Sequence, residues 1–595
     1  MTAPPLIGRG PSSVPAIHVL PPEVAARIAA GEVIERPVSV VRELLDNAID
    51  AGATRITVEI EEGGLTLIRV TDDGRGIPPE QLELAFERHA TSKITALDDL
   101  GHVRTLGFRG EALPSIAAAA DIEVLSRATT EPVGVLAVLV DARVVRHVAR
   151  PAPVGTSFTV RELFGRLPAR RKFLHSGAAE TRQIAVLVSH YALAYPNIAF
   201  HFAANGRRTL ATPGDDDLRH AFAAVYGADS AAAMLDIDHT AEAVHVTGVA
   251  GPPSLHRANR AAVSVFVNGR WVQSRPLTFA IVDAYQSQLP VGRHPIAAVH
   301  ISVGDDDVDV NVHPAKAEVR FRDERLVGRT VRHAIGRALE ASGPAAWLET
   351  AIRPSAVPAL SADTPSSLRR RLEPPVLLRP PEANQPRLDF GSQRPALDQP
   401  RTHRDLLPLL RVVGQMGTTY VVAEGPDGMY LIDQHAAHER VVYDQLVARA
   451  GEPRASSQPL LEPLLAELDP LQAATIDEHR DDLCSLGLEV ESFGERSYLV
   501  RAVPSGVAGT DVTAALRSLL DQLAGESRVA DPFGRAAATV ACHASVRAGT
   551  ALAMDEMRQL VADLAETASP RTCPHGRPTL IHVSTDLLER QFGRR

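Results

Sequence analysis

Cysteine is scarce in this sequence, and so are long apolar runs. Only Cys484, Cys542 and Cys573 occur in 595 residues, which is too few for the disulfide framework of a secreted protein. No apolar run reaches the ~18 residues that span a bilayer, and residues 1–16 lack the apolar segment of a secretory signal. We therefore expect a cytoplasmic protein without membrane contact, whose residues 1–16 form a disordered extension.

Lysine is almost absent, and acidic residues outnumber basic ones. The 62 basic residues include three lysines, Lys93, Lys172 and Lys316, and the net charge is −10. Any binding to nucleic acid must then come from a local basic surface. The segment Arg161–His175, with five basic residues and one acid, is the predicted DNA contact. The alternative interpretation is a solvated basic face.

Proline is concentrated in one region. Eleven prolines lie between residues 344 and 400, among Ser, Gln and Arg. Such a segment cannot bury a core and predicts an extended linker over 343–403. A chain of 595 residues is also too long for a single hydrophobic core. We therefore expect two functional halves joined by this linker.

A polar helix face and two glycine-rich turns mark the first half. Glu43, Asn47 and Asp50 have helical i, i+4, i+7 spacing, which places them on one helix face. Asp72 ends a predicted strand and is followed by a turn containing two glycines. The segment LGFRGEALPSIAAAA predicts a loop before a helix N-terminus, whose N–H groups can hold phosphate. Each pattern alone also fits a surface helix or an ordinary turn, but their order favours a nucleotide site.

The second half contains two groups of metal-binding residue types. In DQHAAHER, His435 and Glu439 share a helix face and Asp433 stands at the helix start; CPHGRP contributes Cys573 and His575. These five donors suit zinc or manganese. The alternative is a helix-capping Asp with surface His and Glu, and a buried thiol beside a capping His.

Nine segments resemble the MutL family of DNA mismatch-repair ATPases, a branch of the GHKL superfamily. In the first half they are VRELLDNAIDAGA, TDDGRGI, RHATSKI, TLGFRGEAL, GTSFTV and DVNVHPAK. In the second half, DQHAAHER, ACHASVRA and CPHGRP resemble the C-terminal domain of the members that nick DNA. The resemblance extends from about Ile17 to Phe321, is lost in the linker and resumes from about Gly414.

The resemblance implies a multidomain fold of α/β and α+β units. The expected units are a GHKL (Bergerat) ATPase α/β sandwich at 17–215, an α/β transducer domain at 216–342, the linker, and an α+β dimerisation and endonuclease domain at 404–595. A regulatory subdomain with its own strands and helices is expected as an insertion at about 450–529.

The resemblance also implies roles for residues at the nucleotide site. Glu43 would be the general base for water, Asn47 would hold magnesium, and Asp72 would bind the adenine amino group of ATP. Lys316 would reach the γ-phosphate from the second domain. The remaining expected nucleotide-site residues are Gly74, Gly76, Lys93, Gly107, Arg109, Gly110, Thr156 and Asn311.

In the C-terminal domain the resemblance implies DNA nicking at a site holding zinc and/or manganese. Asp433, His435 and Glu439 would be catalytic ligands, and Cys573 and His575 further ligands. Three positions depart from the family pattern: Asp444 replaces a common glutamate, Gly593 a usual lysine, and Arg166 a usual asparagine.

The expected partners are double-stranded DNA, the mismatch-recognition protein MutS, a second copy of the chain in a homodimer, and the sliding clamp. Clamp binding would use Gln458–Pro463, although a structural loop would also fit this short motif. The expected location is the nucleoid-associated cytoplasm of a bacterium. A matchmaker that does not nick, with a structural C-terminal metal, is the alternative function. Gyrase-type and chaperone-type GHKL proteins fit the HPAK and CPHGRP segments poorly.

Overall fold

The structure is a computed structural model. It describes residues 33–93, 105–107, 110–286, 288–290, 292–309, 319–351, 407–448, 457–504, 511–524, 532–545, 550–592 and 594.

An eight-stranded sheet forms the base of the N-terminal domain. Its strands are β1 (Arg55–Glu61), β2 (Leu67–Asp72), β3 (Asp121–Arg127), β4 (Gly134–Val140), β5 (Arg143–Arg150), β6 (Gly155–Arg161), β7 (Ala199–Ala204) and β8 (Arg207–Ala211). Their order is β5-β4-β3-β6-β2-β1-β7-β8, and the β1–β7 pair is parallel. Buried and exposed positions alternate along β1 and β3, as expected for strands with one face on a core.

Helices pack against this sheet and share its core. They are α1 (Pro37–Asp50), α2 (Pro79–Leu82), α3 (Ala112–Ala119), α4 (Pro168–Arg171) and α5 (Gly177–Ala194), with short 3-10 turns at Glu62–Gly64 and Leu84–Phe86. Helix α1 starts at a proline and buries Val40, Val41, Leu44 and Leu45, which leaves its polar face available to the site. Helix α5 is capped by Ser176, whose Oγ accepts from the Ala179 N–H at 3.2 Å.

The second domain contains a five-stranded sheet. Its elements are α6 (Leu218–Tyr226), α7 (Ala228–Ala233), β9 (Leu235–Ala241), β10 (Val244–Ala250), β11 (His256–Arg257), β12 (Val263–Val267), β13 (Arg270–Trp271), α8 (Arg275–Ala284), β14 (His294–Pro295), β15 (Ala297–Ser302), a 3-10 turn (Asp305–Asp307), β16 (Val308–Asp309), β17 (Arg320–Phe321) and α9 (Glu324–Ala351). The sheet order is β13-β12-β15-β10-β9, and β11 and β14 form a separate two-stranded ribbon. Helix α9 continues to Ala351, past residue 343, where we expected the linker to begin.

The C-terminal half consists of two sheets with separate cores. Its elements are β18 (Arg411–Met416), β19 (Tyr420–Gly425), β20 (Gly428–Asp433), α10 (Gln434–Ala448), β21 (Ser457–Glu467), α11 (Pro470–Glu478), α12 (Arg480–Ser485), β22 (Glu489–Ser492), β23 (Ser497–Pro504), α13 (Val512–Leu523), α14 (Pro532–Ala544), α15 (Met554–Glu566), β24 (Leu580–Ser584) and α16 (Thr585–Gln591). The order β18-β19-β20-β24 forms one sheet and β21-β23-β22 the other. The second sheet, with α11 to α13, lies at the position of the predicted insertion, and we call it the inserted subdomain.

Helix α14 joins these two parts. Its Ala536, Ala537 and Val540 belong to the core of the inserted subdomain, and the helix also contacts α10. None of the helices in the described ranges has both the length and the apolar character that crossing a membrane requires.

Candidate active sites

The polar face of α1 organises the first candidate site. The Lys93 ammonium donates to Oδ2 of Asp50 at 2.6 Å and to Oδ1 of Asn47 at 2.9 Å. Asp50 also accepts from the N–H groups of Leu106 at 3.0 Å and Gly107 at 3.2 Å. The structure therefore brings Asn47, Lys93 and Gly107 together, with Glu43 one turn away on the half-buried face of α1. Asp50, for which we predicted no role beyond its place on this face, holds the group together.

Asp72 lies at the end of β2 beside Thr156. Its Oδ1 accepts from the Gly74 N–H at 2.9 Å, and Thr156 is its partner in the β2–β6 register. Burial raises the pKa of Asp72 to about 6, and backbone hydrogen bonds from Gly74 and Thr156 only partly offset that rise. A hydrogen-bond donor on a ligand would favour the ionised carboxylate.

Two of the predicted glycines lie where a side chain has no room. Gly76 and Gly110 have φ values of 69° and 64°, and a Cβ on either would lie 2.1 Å from the Arg127 carbonyl oxygen or 2.6 Å from that of Ala90. Both the backbone conformation and the close approach require glycine. A Cβ on Gly107 would lie 3.0 Å from the Lys93 Nζ. Of the other predicted nucleotide-site residues, Arg109, Asn311 and Lys316 lie outside the described residues.

The second domain adds a contact that the sequence did not reveal. Arg270, in β13, donates to the Thr105 carbonyl at 2.6 Å, two residues before Gly107. Nearby, the Tyr191 hydroxyl donates to Oδ1 of Asp46 at 2.6 Å. These bonds connect the loop of the nucleotide site and helix α1 to the rest of the protein. The sequence around Arg270 carries no signal for this role.

The second candidate site is built at the start of α10. Oδ1 of Asp433 accepts from the N–H groups of His435 at 2.9 Å and Ala436 at 3.1 Å, so Asp433 caps the helix. Helix capping is one of the two alternative roles that we predicted for Asp433; metal binding is the other.

Glu439 is the centre of two overlapping groups of donors. One group is His435, Glu439 and Cys542, the other is Glu439, Cys573 and His575, and the ligand atoms within each lie within 4.8 Å of one another. Asp433 belongs to neither. Cys542, in α14, was not among the predicted ligands, although the segment ACHASVRA contains it.

The electrostatics of this site suit a cation. Glu439 is 1% exposed, and neither of its oxygens accepts a well-aligned hydrogen bond, although Nδ1 of His575 lies 2.9 Å from Oε1. Burial opposes ionisation of Glu439, but His575 and the thiols of Cys573 and Cys542 outweigh burial and lower its pKa to about 2. Burial and Glu439 raise the pKa of Cys542 to about 11. A buried anion without aligned donors, next to thiols and imidazoles, fits a thiophilic metal such as zinc.

A tight turn presents Cys573 and His575. The Gly576 N–H donates to the Cys573 carbonyl at 2.9 Å, and Gly576 has a φ of 81°. Arg440 of α10 donates to the Thr572 carbonyl at 2.6 Å and to Asp444 at 3.1 Å. Asp444, one of the departures from the family pattern, therefore supports the helix beside the turn. Gly593 lies outside the described residues.

The two predicted macromolecular contacts are both exposed. In β21 the pairing with β23 is interrupted between Pro459 and Leu464, and Leu461, inside that interruption, is fully exposed. In the basic segment, Arg166 pairs with Asp121 at 2.6 Å, whereas Phe173 is 81% exposed.

Three family models match the chain. The MutL C terminal dimerisation domain matches residues 413–552, and the C-terminal domain of DNA mismatch repair protein matches 222–340. The Histidine kinase-, DNA gyrase B-, and HSP90-like ATPase model matches 32–113. These matches confirm the predicted fold class, a GHKL ATPase domain combined with a C-terminal dimerisation domain.

Relatives match over almost the whole chain. The DNA mismatch repair protein MutL of Symbiobacterium thermophilum is 40% identical, over 97% of this chain and 100% of that protein. The MutL of Desulforudis audaxviator is 41% identical, over 97% of this chain and 99% of that protein. The MutL of Pelotomaculum thermopropionicum is 40% identical, over 97% and 100%. The chain therefore belongs to the MutL family of DNA mismatch repair proteins.

Proposed function

We propose that this mismatch repair protein couples ATP binding and hydrolysis in its N-terminal half to metal-dependent nicking of DNA in its C-terminal half. The observation that supports nicking is the buried Glu439 carboxylate, shared by two donor groups and without an aligned hydrogen bond. Burying such a group costs free energy unless a cation or donors compensate it.

For ATP hydrolysis we assign Glu43 as the general base that takes a proton from the attacking water. Asn47 would hold magnesium, which supplies charge neutralisation for the phosphates when bound. Lys93 is positioned at Asn47 and Asp50 and would move from these side chains toward phosphate oxygens. Asp72 would accept a hydrogen bond from the adenine amino group. Arg109, Asn311 and Lys316 would complete the site around the phosphates.

For nicking, five side chains would hold zinc and/or manganese, which supplies Lewis-acid polarisation of a phosphodiester when bound. They are His435, Glu439, Cys542, Cys573 and His575. Glu439 contributes a carboxylate whose low pKa keeps it ionised at neutral pH. Asp433 holds the first turn of α10 in place and, by the resemblance, would also take part in the reaction.

The partners follow from the exposed segments and the family. The C-terminal dimerisation domain supports a homodimer. We propose that double-stranded DNA contacts Arg161–His175 through phosphate, since Arg171 and Lys172 are exposed there. The exposed Leu461 would enter an apolar pocket of the sliding clamp. MutS would be the mismatch-recognition partner.

A supercoiled-plasmid nicking assay with manganese, with and without ATP, tests the nicking function. We expect the parent protein to nick and Glu439→Ala to lose at least about 100-fold of that activity, because one carboxylate serves both donor groups. ATP hydrolysis should be unchanged. Asp555→Ala, at a side chain 94% exposed on α15, is the matched control and should nick normally.

The matchmaker that does not nick is the second candidate. It is favoured by the burial of the site, because Cys573 is 2% and Glu439 1% exposed, and closed, thiolate-rich zinc sites are usually structural. If the parent protein retains bound zinc and hydrolyses ATP but leaves the plasmid supercoiled, this function replaces nicking.

A further inference from the structure

Five arginines of the N-terminal half face the inserted subdomain. They come from α5, β8, β11 and the segment before β14, and are Arg182, Arg207, Arg208, Arg257 and Arg293. Three of them contact acidic side chains of the insertion: Arg182 contacts Glu478 at 2.9 Å, Arg208 contacts Glu495 at 2.7 Å, and Arg257 contacts two aspartates. Arg207 donates to the backbone carbonyl of Glu495, and Arg293 donates to the Ser518 hydroxyl. The two surfaces are therefore complementary in charge.

The centre of this contact is a buried cluster around Arg257. Its guanidinium lies 3.2 Å from Oδ2 of Asp469 and 3.6 Å from Oδ1 of Asp521. All three residues are buried, with exposures of 8%, 7% and 5%. Asn259 donates to the Asp521 carbonyl at 2.5 Å. Without Arg257, two buried aspartates would face each other with no cation between them, which is strongly unfavourable.

A helix end provides the second part of the contact. Arg496, in the insertion, donates to the carbonyls of Val225, at 2.9 Å, and Ala224. These carbonyls belong to the last turn of α6, where intrahelical partners run out and a basic side chain is favourable. This contact has the opposite polarity to the Arg257 cluster, because here the cation comes from the insertion.

An aromatic stack provides the third part. The Arg207 guanidinium lies 4.8 Å from the centre of the Tyr498 ring and donates to its hydroxyl at 3.1 Å and to the Gly494 carbonyl at 2.7 Å. The planar fork of arginine allows stacking and bidentate bonding together. The nearby Arg208–Glu495 pair is half exposed and contributes little on its own.

From these contacts we infer that the arginine face of the N-terminal half is a docking surface for the inserted subdomain of the same chain. The occupant is identified by charge complementarity, by a buried cluster that needs both sides, and by the end of α6 that Arg496 completes. The contact is made by charged groups that are exposed at its rim and buried at its centre, so docking is specific and its rim contacts are weakened by salt.

Docking on this face would be linked to the proposed metal-binding residues through two helices that pack against each other. Asp521 lies on α13, whose Leu519 and Leu520 share a core with Ala537 of α14, and α14 carries Cys542. This consequence rests on the proposed function; the docking itself does not.

The test uses the full chain with a specific protease site inserted between residues 352 and 406, cut after folding. We expect the two halves to remain together in size-exclusion chromatography at low salt and to separate at high salt. Arg257→Glu should weaken their association roughly 30-fold or more, since it leaves buried aspartates facing an anion. Arg332→Glu, at an exposed residue paired with Asp283 on the same half, is the matched control and should leave association unchanged.

Folding is checked separately, so that a misfolded variant is not counted as an undocked one. ATP hydrolysis and the circular dichroism spectrum of the uncut Arg257→Glu protein should match the parent. Arg496→Ala, a milder change on the other side of the contact, should also weaken association. Separation of the parent halves at low salt, or equal behaviour of the Arg257→Glu and Arg332→Glu proteins, would overturn the docking surface.

Cross-linking decides whether the occupant is the chain's own insertion. Arg208→Cys and Glu495→Cys are combined with Cys484→Ser and joined by a short bis-maleimide. A product that migrates as a monomer on a denaturing gel supports the proposal, whereas a dimer-sized product assigns the surface to a second copy and overturns it. Arg208→Cys alone should give neither product.

Discussion

The two candidate sites hold their carboxylates in opposite ways. At the nucleotide site, Asp50 is tied to a lysine and two backbone N–H groups, so its charge is balanced by the protein alone. At the proposed metal site, Glu439 is more deeply buried and lies beside His575 and two thiols, yet neither of its oxygens accepts an aligned hydrogen bond. The first arrangement uses the carboxylate oxygens fully without a ligand, whereas the second leaves them available to a cation. Nucleotide binding should therefore rearrange hydrogen bonds that already exist at Asp50, whereas metal binding should add new bonds to Glu439.

Removing the proposed general base, Glu43, should have the largest effect on one of the two sites. We expect Glu43→Ala to slow ATP hydrolysis by about 100-fold or more, because water loses its proton acceptor, while ATP binding is retained. Steady-state hydrolysis and equilibrium nucleotide binding measure the two properties. Zinc content should not change, since the metal-binding residues are elsewhere. Hydrolysis near the parent rate would remove Glu43 from its assigned role.

Removing a thiol should affect only the metal-binding site. Cys542→Ala and Cys573→Ala should each lower zinc affinity by about 10-fold or more, and affinity in the parent should fall on acidification as the ligands take up protons. Competition with a chromophoric chelator measures this affinity. Cys484→Ala, at an exposed cysteine, is the control. A Cys542→Ala protein that binds zinc like the parent would exclude Cys542 from the ligands.

Asp72 offers a pH test of the nucleotide site. Its folded pKa of about 6 lies above the ordinary value of 3.8 for an aspartate, so its contribution to stability is present below the lower value and lost as pH rises through about 6. Asp72→Asn should therefore raise the unfolding free energy of the N-terminal domain at pH 8, by up to about 3 kcal/mol, and much less at pH 4.

The same residue should make nucleotide binding depend on pH. Binding by the parent should weaken as pH falls through about 6, because the carboxylate that accepts a donor becomes neutral, and Asp72→Asn should remove this dependence. Thermal unfolding across pH 4–8 and nucleotide titration across pH 5–8 measure the two effects. A parent whose affinity is flat over this range would contradict the assigned role of Asp72.

The smallest expected effect is at the contact between the domains. Arg270→Ala removes the bond to the Thr105 carbonyl and should lower kcat for ATP hydrolysis by roughly 3- to 10-fold, which corresponds to about 0.7–1.4 kcal/mol, the free energy of one typical hydrogen bond. KM should change less, since Arg270 bonds to the loop. Arg270→Lys should restore part of the rate. An effect on KM alone would mean that Arg270 acts on nucleotide binding.

Local spacing explains which parts of these sites could be predicted. Glu43, Asn47 and Asp50 are close in sequence, so helix geometry alone places them together, and the glycines mark turns that other residues cannot form. Local spacing carries no comparable signal for Cys542, which approaches Glu439 from a helix more than a hundred residues away. Nor could it distinguish Arg257 or Arg270 among 59 arginines, because their roles depend on which domains meet.

Helix α5 makes two contacts of different kinds with other parts of the protein. Near its start, Arg182 pairs with Glu478 of the insertion. Two turns later, His190 stacks on Trp271 of the second domain with ring centres 4.2 Å apart, and burial lowers the pKa of His190 to about 3. The two stacked rings are therefore uncharged at physiological pH. The Arg42 guanidinium lies 5.2 Å from the centre of the Trp271 ring, and the rings join the domains by packing and not through an ion pair. A single helix therefore carries one contact that high ionic strength weakens. About 12 Å away along the helix axis, it carries a second contact that depends much less on ionic strength.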